Sequence, residues 1–382
     1  MSNIIYKYRF FDDYSEGAHP RVLEALSTTN LSQEEGYGMD SFSERARKLL
    51  KEKVGNPNAD VHFVETGSQA NLITISSYLR PYESVIAADS GHINIHETGA
   101  LEASGHKIHM ISASDGKITP EQIRVIVEAH TDEHMVKPRI VYISQATEVG
   151  TIYKKAELQA ISNYCKENSL FFYIDGARLG SAIVSSESDT TLSDFSKLAD
   201  AFYIGGTKNG LLLGEAVIVN RHPYQENFRY HIKQHGALLA KGRVLAVPFI
   251  ELLKDDLYFA LAKNANAMAA KLAKGIRGMG YSFLTNSHTN QIFPIFPNAL
   301  IGKLKMTYGF HVWSKMDNDT SAVRLVTSWA TEERAVNDFI ADLRRQTGRN
   351  LCRRVGRSKD LSRNHQLHNM GRRAEKTSRR RS

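Results

Sequence analysis

Three short strings carry residue types that could do chemistry together. In Ala201-Phe202-Tyr203-Ile204-Gly205-Gly206-Thr207-Lys208 a lysine follows an apolar run and two glycines. An amine held in a cleft with a lowered pKa suits covalent chemistry on a carbonyl, although a lone instance reads equally as a loop lysine. Phe172-Tyr173-Ile174-Asp175-Gly176-Ala177-Arg178 ends an apolar run on an acid. Such an acid must be paired or functional, and an Asp175–Arg178 ion pair would explain it structurally. Glu65-Thr66-Gly67-Ser68-Gln69-Ala70-Asn71 places small residues before a helical pattern. Free N–H groups and the helix dipole there make an anion site suited to phosphate, or an ordinary helix cap. Together, in this order, the strings supply a phosphate cradle, an acid for a pyridinium nitrogen and a lysine for an aldehyde. Those are the protein's parts of a pyridoxal phosphate site.

The elements that must position these strings are legible as an alternation. Val61–Val64, Ser84–Ala88, Lys107–Ile111, Arg139–Ile143, Leu170–Ile174, Ala201–Ile204 and Ala216–Val219 read as buried strands. Gln69–Leu79, Pro120–Ala129 and Lys155–Asn168 read as helices between them. Alternating strand and helix predicts an α/β fold with a mostly parallel sheet covered on both faces. In such a sheet ligands bind at the C-terminal strand ends, where all three strings fall. After Arg221 the pattern changes. Tyr224–Gln234, Val244–Leu253, Leu257–Met279 and Glu332–Arg345 read as helices, and Thr289–Ile295, Gly309–Trp313 and Ala322–Thr327 as strands. The spacing predicts an N-terminal arm over 1–55, a large α/β domain over 56–250, a small α+β domain over 251–346 and a tail over 347–382.

Charge separates the tail from the rest. The chain has 382 residues and a net charge of +8. Residues 347–382 hold twelve Lys or Arg and two acids, a net of +10, which leaves −2 for the remainder. The tail is poor in large apolar residues and reads as a disordered extension able to hold polyanions nonspecifically. A noncatalytic nucleic-acid protein has only this tail in its favour. No run of eighteen apolar residues predicts a membrane span, and the N-terminus lacks the apolar core of a secretory signal. Two distant cysteines, Cys165 and Cys352, fit a reducing compartment, here the cytoplasm. His92 and His96 share the His-x-x-x-His spacing, but none of the fifteen histidines opens a His-Glu-x-x-His string, so no metal site is expected.

From about Phe10 to Leu343 the chain resembles the low-specificity threonine aldolase and aromatic amino acid β-eliminating lyase family, of the aspartate-aminotransferase-like fold. The resemblance is carried by Tyr37-Gly38-Met39-Asp40, Thr66-Gly67-Ser68-Gln69-Ala70-Asn71, Asp175-Gly176-Ala177-Arg178-Leu179 and Gly206-Thr207-Lys208. It implies that Lys208 attaches pyridoxal 5'-phosphate covalently, that Asp175 keeps the ring nitrogen protonated, and that Gly67, Ser68 and Thr207 hold the phosphate. It implies that His92 stacks on the ring, that Arg178 and Arg324 take the substrate carboxylate, and that Tyr37, Lys233 and Lys241 serve a neighbouring subunit's site. A homodimer or homotetramer acting on a small amino acid follows.

Two departures touch the substrate pocket. Glu148, in Ser144-Gln145-Ala146-Thr147-Glu148, stands where the family commonly has a second histidine. Phe11-Asp12-Asp13-Tyr14-Ser15 replaces an Arg-Ser-Asp string, which puts Asp12 at the substrate carboxylate. The implied reaction is cleavage of a β-hydroxy amino acid such as threonine to glycine and acetaldehyde, with His92 or Glu148 as base. β-Elimination and transamination use the same lysine and acid and remain the alternatives.

Overall fold

The computed structural model describes residues 5–221 and 227–347. The basic tail beyond them, and the start of the helix expected at Tyr224, lie outside the described residues. Among the described residues thirteen strands follow in chain order: β1 Tyr8–Arg9, β2 Asp60–Val64, β3 Glu83–Ala88, β4 Ile108–Ile111, β5 Lys137–Ser144, β6 Phe171–Asp175, β7 Ala201–Gly205, β8 Glu215–Val219, β9 Gln291–Ile292, β10 Ile295–Pro297, β11 Tyr308–Gly309, β12 His311–Lys315 and β13 Thr320–Val326.

Seven of these form one sheet in the order β2-β8-β7-β6-β5-β3-β4. Only β8 runs against its neighbours, so six strands point the same way and end on the same edge. Both faces are buried, as near-continuous apolar strands require. Val141, Ile143, Phe172, Ile174, Phe202 and Ile204 pack on one face against the helix Lys155–Glu167 and its neighbours. Tyr142, Tyr173 and Tyr203 turn to the other face, against the helix Gly67–Tyr78. The seven strands expected from apolar runs are thus all present, within two residues at each end.

The second sheet is antiparallel, with β13 between β10 and β12 and also paired to β9. It packs on the helices Leu257–Arg277 and 333–347 through Ala269, Leu272, Val336 and Phe339. The strand expected over Thr289–Ile295 is split into β9 and β10, and the one over Gly309–Trp313 into β11 and β12. The N-terminal stretch touches both bodies. β1 pairs in parallel with β11, and Phe10 enters the second core. Val22 and Leu50, on the helices Pro20–Thr29 and Ser41–Val54, enter the first core. The second of these helices is well bounded: Asp40 caps its start by accepting from Ser43 N, and Gly55 closes it in a left-handed conformation. Among the described residues no helix is long and apolar enough to cross a membrane.

Candidate active site

The parallel strands deliver their chemistry at one edge. Gly67 and Ser68 follow β2, His92 follows β3, Glu148 follows β5, Asp175 ends β6, and Thr207 and Lys208 follow β7. All line a single cavity of about 570 Å³, joined by Arg178 and by Arg324 from β13 of the second sheet. Nine residues proposed from the sequence are therefore neighbours in space.

Asp175 is buried and carries four donors. Oδ1 accepts from the Tyr203 hydroxyl at 2.5 Å and the Ala177 amide at 2.9 Å. Oδ2 accepts from the Tyr142 hydroxyl at 2.7 Å and Asn71 Nδ2 at 2.9 Å. Burial alone would raise its pKa, but the His92 charge and these hydrogen bonds bring it below the usual range. Asp175 is not paired with Arg178, as the structural reading of that string required. Arg178 instead grips Asp13, Nε to Oδ2 at 2.7 Å and Nη2 to Oδ1 at 3.1 Å.

Of the two adjacent aspartates, Asp13 meets Arg178 and Asp12 does not. Asp12 does not line the cavity. It accepts from Tyr14 N and the Ser15 hydroxyl in a local turn. Asp13 faces inward, 1% exposed, and also accepts from Asn290 Nδ2 at 2.8 Å. Asp12 turns into the local bend and Asp13 onto Arg178, so the two adjacent aspartates meet different partners.

Burial, with the Arg178 charge close by, lowers the Lys208 pKa. The loop that carries it is fastened by Glu215, the first residue of β8. The Glu215 carboxylate accepts from Gly206 N at 2.8 Å and lies within hydrogen-bond reach of the Thr207 hydroxyl. Burial pushes the Glu215 pKa up to about 7. At the helix Gly67–Tyr78, Thr66 caps the N-terminus by accepting from Gln69 N. A side chain on Gly67 would come within 3.0 Å of the Tyr203 hydroxyl, so only glycine leaves that approach open.

On the other wall, Glu148 Oε1 accepts from His92 N at 3.1 Å and from the Ser144 hydroxyl at 2.6 Å. Burial raises the Glu148 pKa. His92 Nδ1 lies 2.7 Å from Oε1 of the buried Glu97, which also accepts from Asn71 Nδ2 at 2.7 Å. Asn71 therefore links the His92–Glu97 pair to Asp175. Arg324 stacks over Trp313 at 5.3 Å and donates to the Phe11 carbonyl, while its buried Nε finds no partner among the described residues.

Tyr37, Lys233 and Lys241 are not in this cavity. Tyr37 is 46% exposed, bonds Ala240 O through its amide, and has the Lys233 ammonium 5.0 Å over its ring. They form a separate surface cluster beside the turn holding Lys241. The sequence reading gave no role to Asn71, Glu97, Tyr142, Tyr203, Glu215 or Gln291. The signal for the two tyrosines was present: the strands on either side of β6 each carry a tyrosine on the face of Asp175.

Comparisons with known proteins identify the family and the fold. The β-eliminating lyase profile matches residues 12–298. The chain is 32% identical to the low specificity L-threonine aldolase of Pseudomonas aeruginosa over 339 residues, covering 88% of this chain and 97% of that protein. The Leishmania major threonine aldolase structure superimposes with a TM-score of 0.88 at 45% identity, covering 89% of this chain and 99% of that one. A Thermus thermophilus aspartate aminotransferase, 13% identical with a TM-score of 0.67, shares the fold over 90% of this chain and 92% of its own. This protein belongs to the β-eliminating lyase family, as a carbon–carbon lyase of the low-specificity threonine aldolase type on the aspartate aminotransferase fold, a family and fold that depend on pyridoxal phosphate.

Proposed function

We propose that this chain binds pyridoxal phosphate through Lys208 and cleaves L-threonine and related β-hydroxy amino acids to glycine and an aldehyde. The observation that carries the reading is a buried carboxylate, Asp175, kept ionised by four donors in the same cavity as the half-buried Lys208. An ionised acid in an apolar interior suits a cationic ring nitrogen and little else. The residues present fit the cofactor elsewhere too. The first turn of the helix at Gly67 and Ser68 offers unpaired amides for a phosphate. The lowered pKa of Lys208 favours the neutral, nucleophilic amine.

When bound, the cofactor supplies an electron sink for charge released at Cα. The chain's own residues do the rest. Arg324, with a free donor, and Arg178, oriented by Asp13, hold the substrate carboxylate and so fix which bond at Cα is exposed to cleavage. Glu148 accepts the proton of the β-hydroxyl, because its raised pKa makes it a stronger base than an exposed carboxylate. His92, oriented by Glu97, packs beside it. The exposed cluster of Tyr37, Lys233 and Lys241 serves the site of a second copy in a homodimer or homotetramer.

The test is product analysis. Purified protein supplied with pyridoxal phosphate and L-threonine is expected to form glycine and acetaldehyde in equal amounts. Formation of a keto acid and ammonia instead would move the reaction to β-elimination.

A further inference from the structure

Gln291 opens β9, is fully buried, and lines the same cavity as Glu148 and Lys208. Neither Nε2 nor Oε1 of its amide has a hydrogen-bond partner among the described residues. Leaving a donor and an acceptor dry and unpaired is destabilising. Two other buried amides near the cavity are satisfied. Asn71 bonds Glu97, Asp175 and Tyr173, and Gln145 bonds both the amide and the carbonyl of Tyr153. Asn290 Oδ1 and Gln69 Oε1 also lack partners, but among the described residues only Gln291 leaves both ends of its amide unpaired.

Its place in the cavity is fixed by the chain around it. The Thr285 hydroxyl donates to the Val149 carbonyl at 2.7 Å, and the Thr289 hydroxyl to the Gly150 carbonyl at 3.4 Å. Gly150 packs so closely on Gln291 that a side chain there would come within 2.9 Å of the Gln291 carbonyl. The segment leading into Gln291 is therefore tied to the loop carrying Glu148, the residue placed at the β-hydroxyl. A substrate carboxylate already has two arginines, and it could use only the Nε2 donor, leaving Oε1 unpaired. A hydroxyl donates and accepts, so it can meet either end of the amide.

Resting on the lyase reading above, we infer that Gln291 sets substrate choice by hydrogen-bonding an oxygen carried beyond Cβ. The favoured substrates are then β-hydroxy amino acids with a polar γ-position, in preference to threonine with its methyl group. The reaction stays balanced. The β-hydroxyl loses its proton, the Cα–Cβ bond breaks, the Cβ–O bond becomes a carbonyl, and Cα gains a proton to give glycine. With 2-amino-3,4-dihydroxybutanoate the second product is glycolaldehyde, and no oxidant or reductant is needed.

The experiment measures kcat/KM for glycine release from L-threonine and from its 4-hydroxy derivative, using the wild-type holoenzyme and Gln291→Met. The wild type is expected to favour the hydroxylated substrate by about tenfold or more, and Gln291→Met to bring the ratio within about threefold of one. A wild-type ratio near or below one overturns the inference while aldehyde release from threonine leaves the lyase reading intact. A ratio unchanged in Gln291→Met also overturns it. If neither substrate yields glycine, the lyase reading fails and takes the inference with it. The wild-type comparison stands even if the variant is poorly folded.

Discussion

Two carboxylates in one cavity have their pKa values pushed in opposite directions. Asp175 has four donors and a pKa below the usual range, whereas Glu148 has two and a pKa raised by burial. Such divergence separates an electrostatic partner from a base. Asp175→Ala is expected to weaken pyridoxal phosphate binding and to lower kcat by orders of magnitude, read by cofactor absorbance titration and glycine release. Wild-type cofactor affinity in that variant would remove Asp175 from its assigned place. Glu148 must be deprotonated to accept a proton, so activity rises with pH through its raised pKa. In Glu148→Gln that acid limb should vanish from the kcat/KM profile along with most of the rate, roughly 10²–10⁴-fold for a lost general base. An unchanged acid limb would assign it to another group. The strings around Lys208, Asp175 and Gly67 were readable because each breaks an apolar or helical pattern with an unexpected residue type. Asp13 was missed because a pair of aspartates does not say which one turns inward. Gln291 was missed because a glutamine in a short strand carries no signal until its missing partners are seen.

The strands bring the site together through close backbone contact. Gly205 N donates to Gly176 O at 3.0 Å, joining the loops after β6 and β7 that carry Asp175 and Lys208. A methyl at Gly176 would overlap the Tyr203 carbonyl, and one at Gly205 would crowd the Ala177 carbonyl. Gly176→Ala is therefore expected to destabilise the protein by about 1–3 kcal/mol or more, as overpacking does. Calorimetry measures this as a lowered Tm, and an unchanged Tm would mean the two loops can part without cost. The main strands were legible because a sheet buried on both faces makes continuous apolar runs. β9 to β12 were only approximately legible. They are two to five residues long, and their edges are set by pairing, β11 with β1 and the others with β13, not by their own sequence.

At the scale of the whole molecule, the cavity draws Arg324 from the second sheet and Tyr14 from the N-terminal stretch onto the edge of the first. Tyr37, Lys233 and Lys241 instead gather on the surface, where a second copy could use them. That arrangement predicts complementation. Lys208→Ala and Lys241→Ala variants, each impaired alone, are expected to regain activity when mixed and allowed to exchange subunits. A single-chain mass by light scattering, with no recovery on mixing, would show that each chain builds its site unaided. The assembly was open to sequence reading only through the family resemblance, because exposed residues carry no periodic signal of what they face.

The central claim is that Lys208 holds pyridoxal phosphate in this cavity. The most direct measurement is to add the cofactor, reduce with borohydride, digest, and locate the pyridoxyl label by peptide mass spectrometry. One stoichiometric label is expected, on Lys208, lost in Lys208→Ala. A label on Lys233 or Lys241, or none on a folded protein, would contradict it.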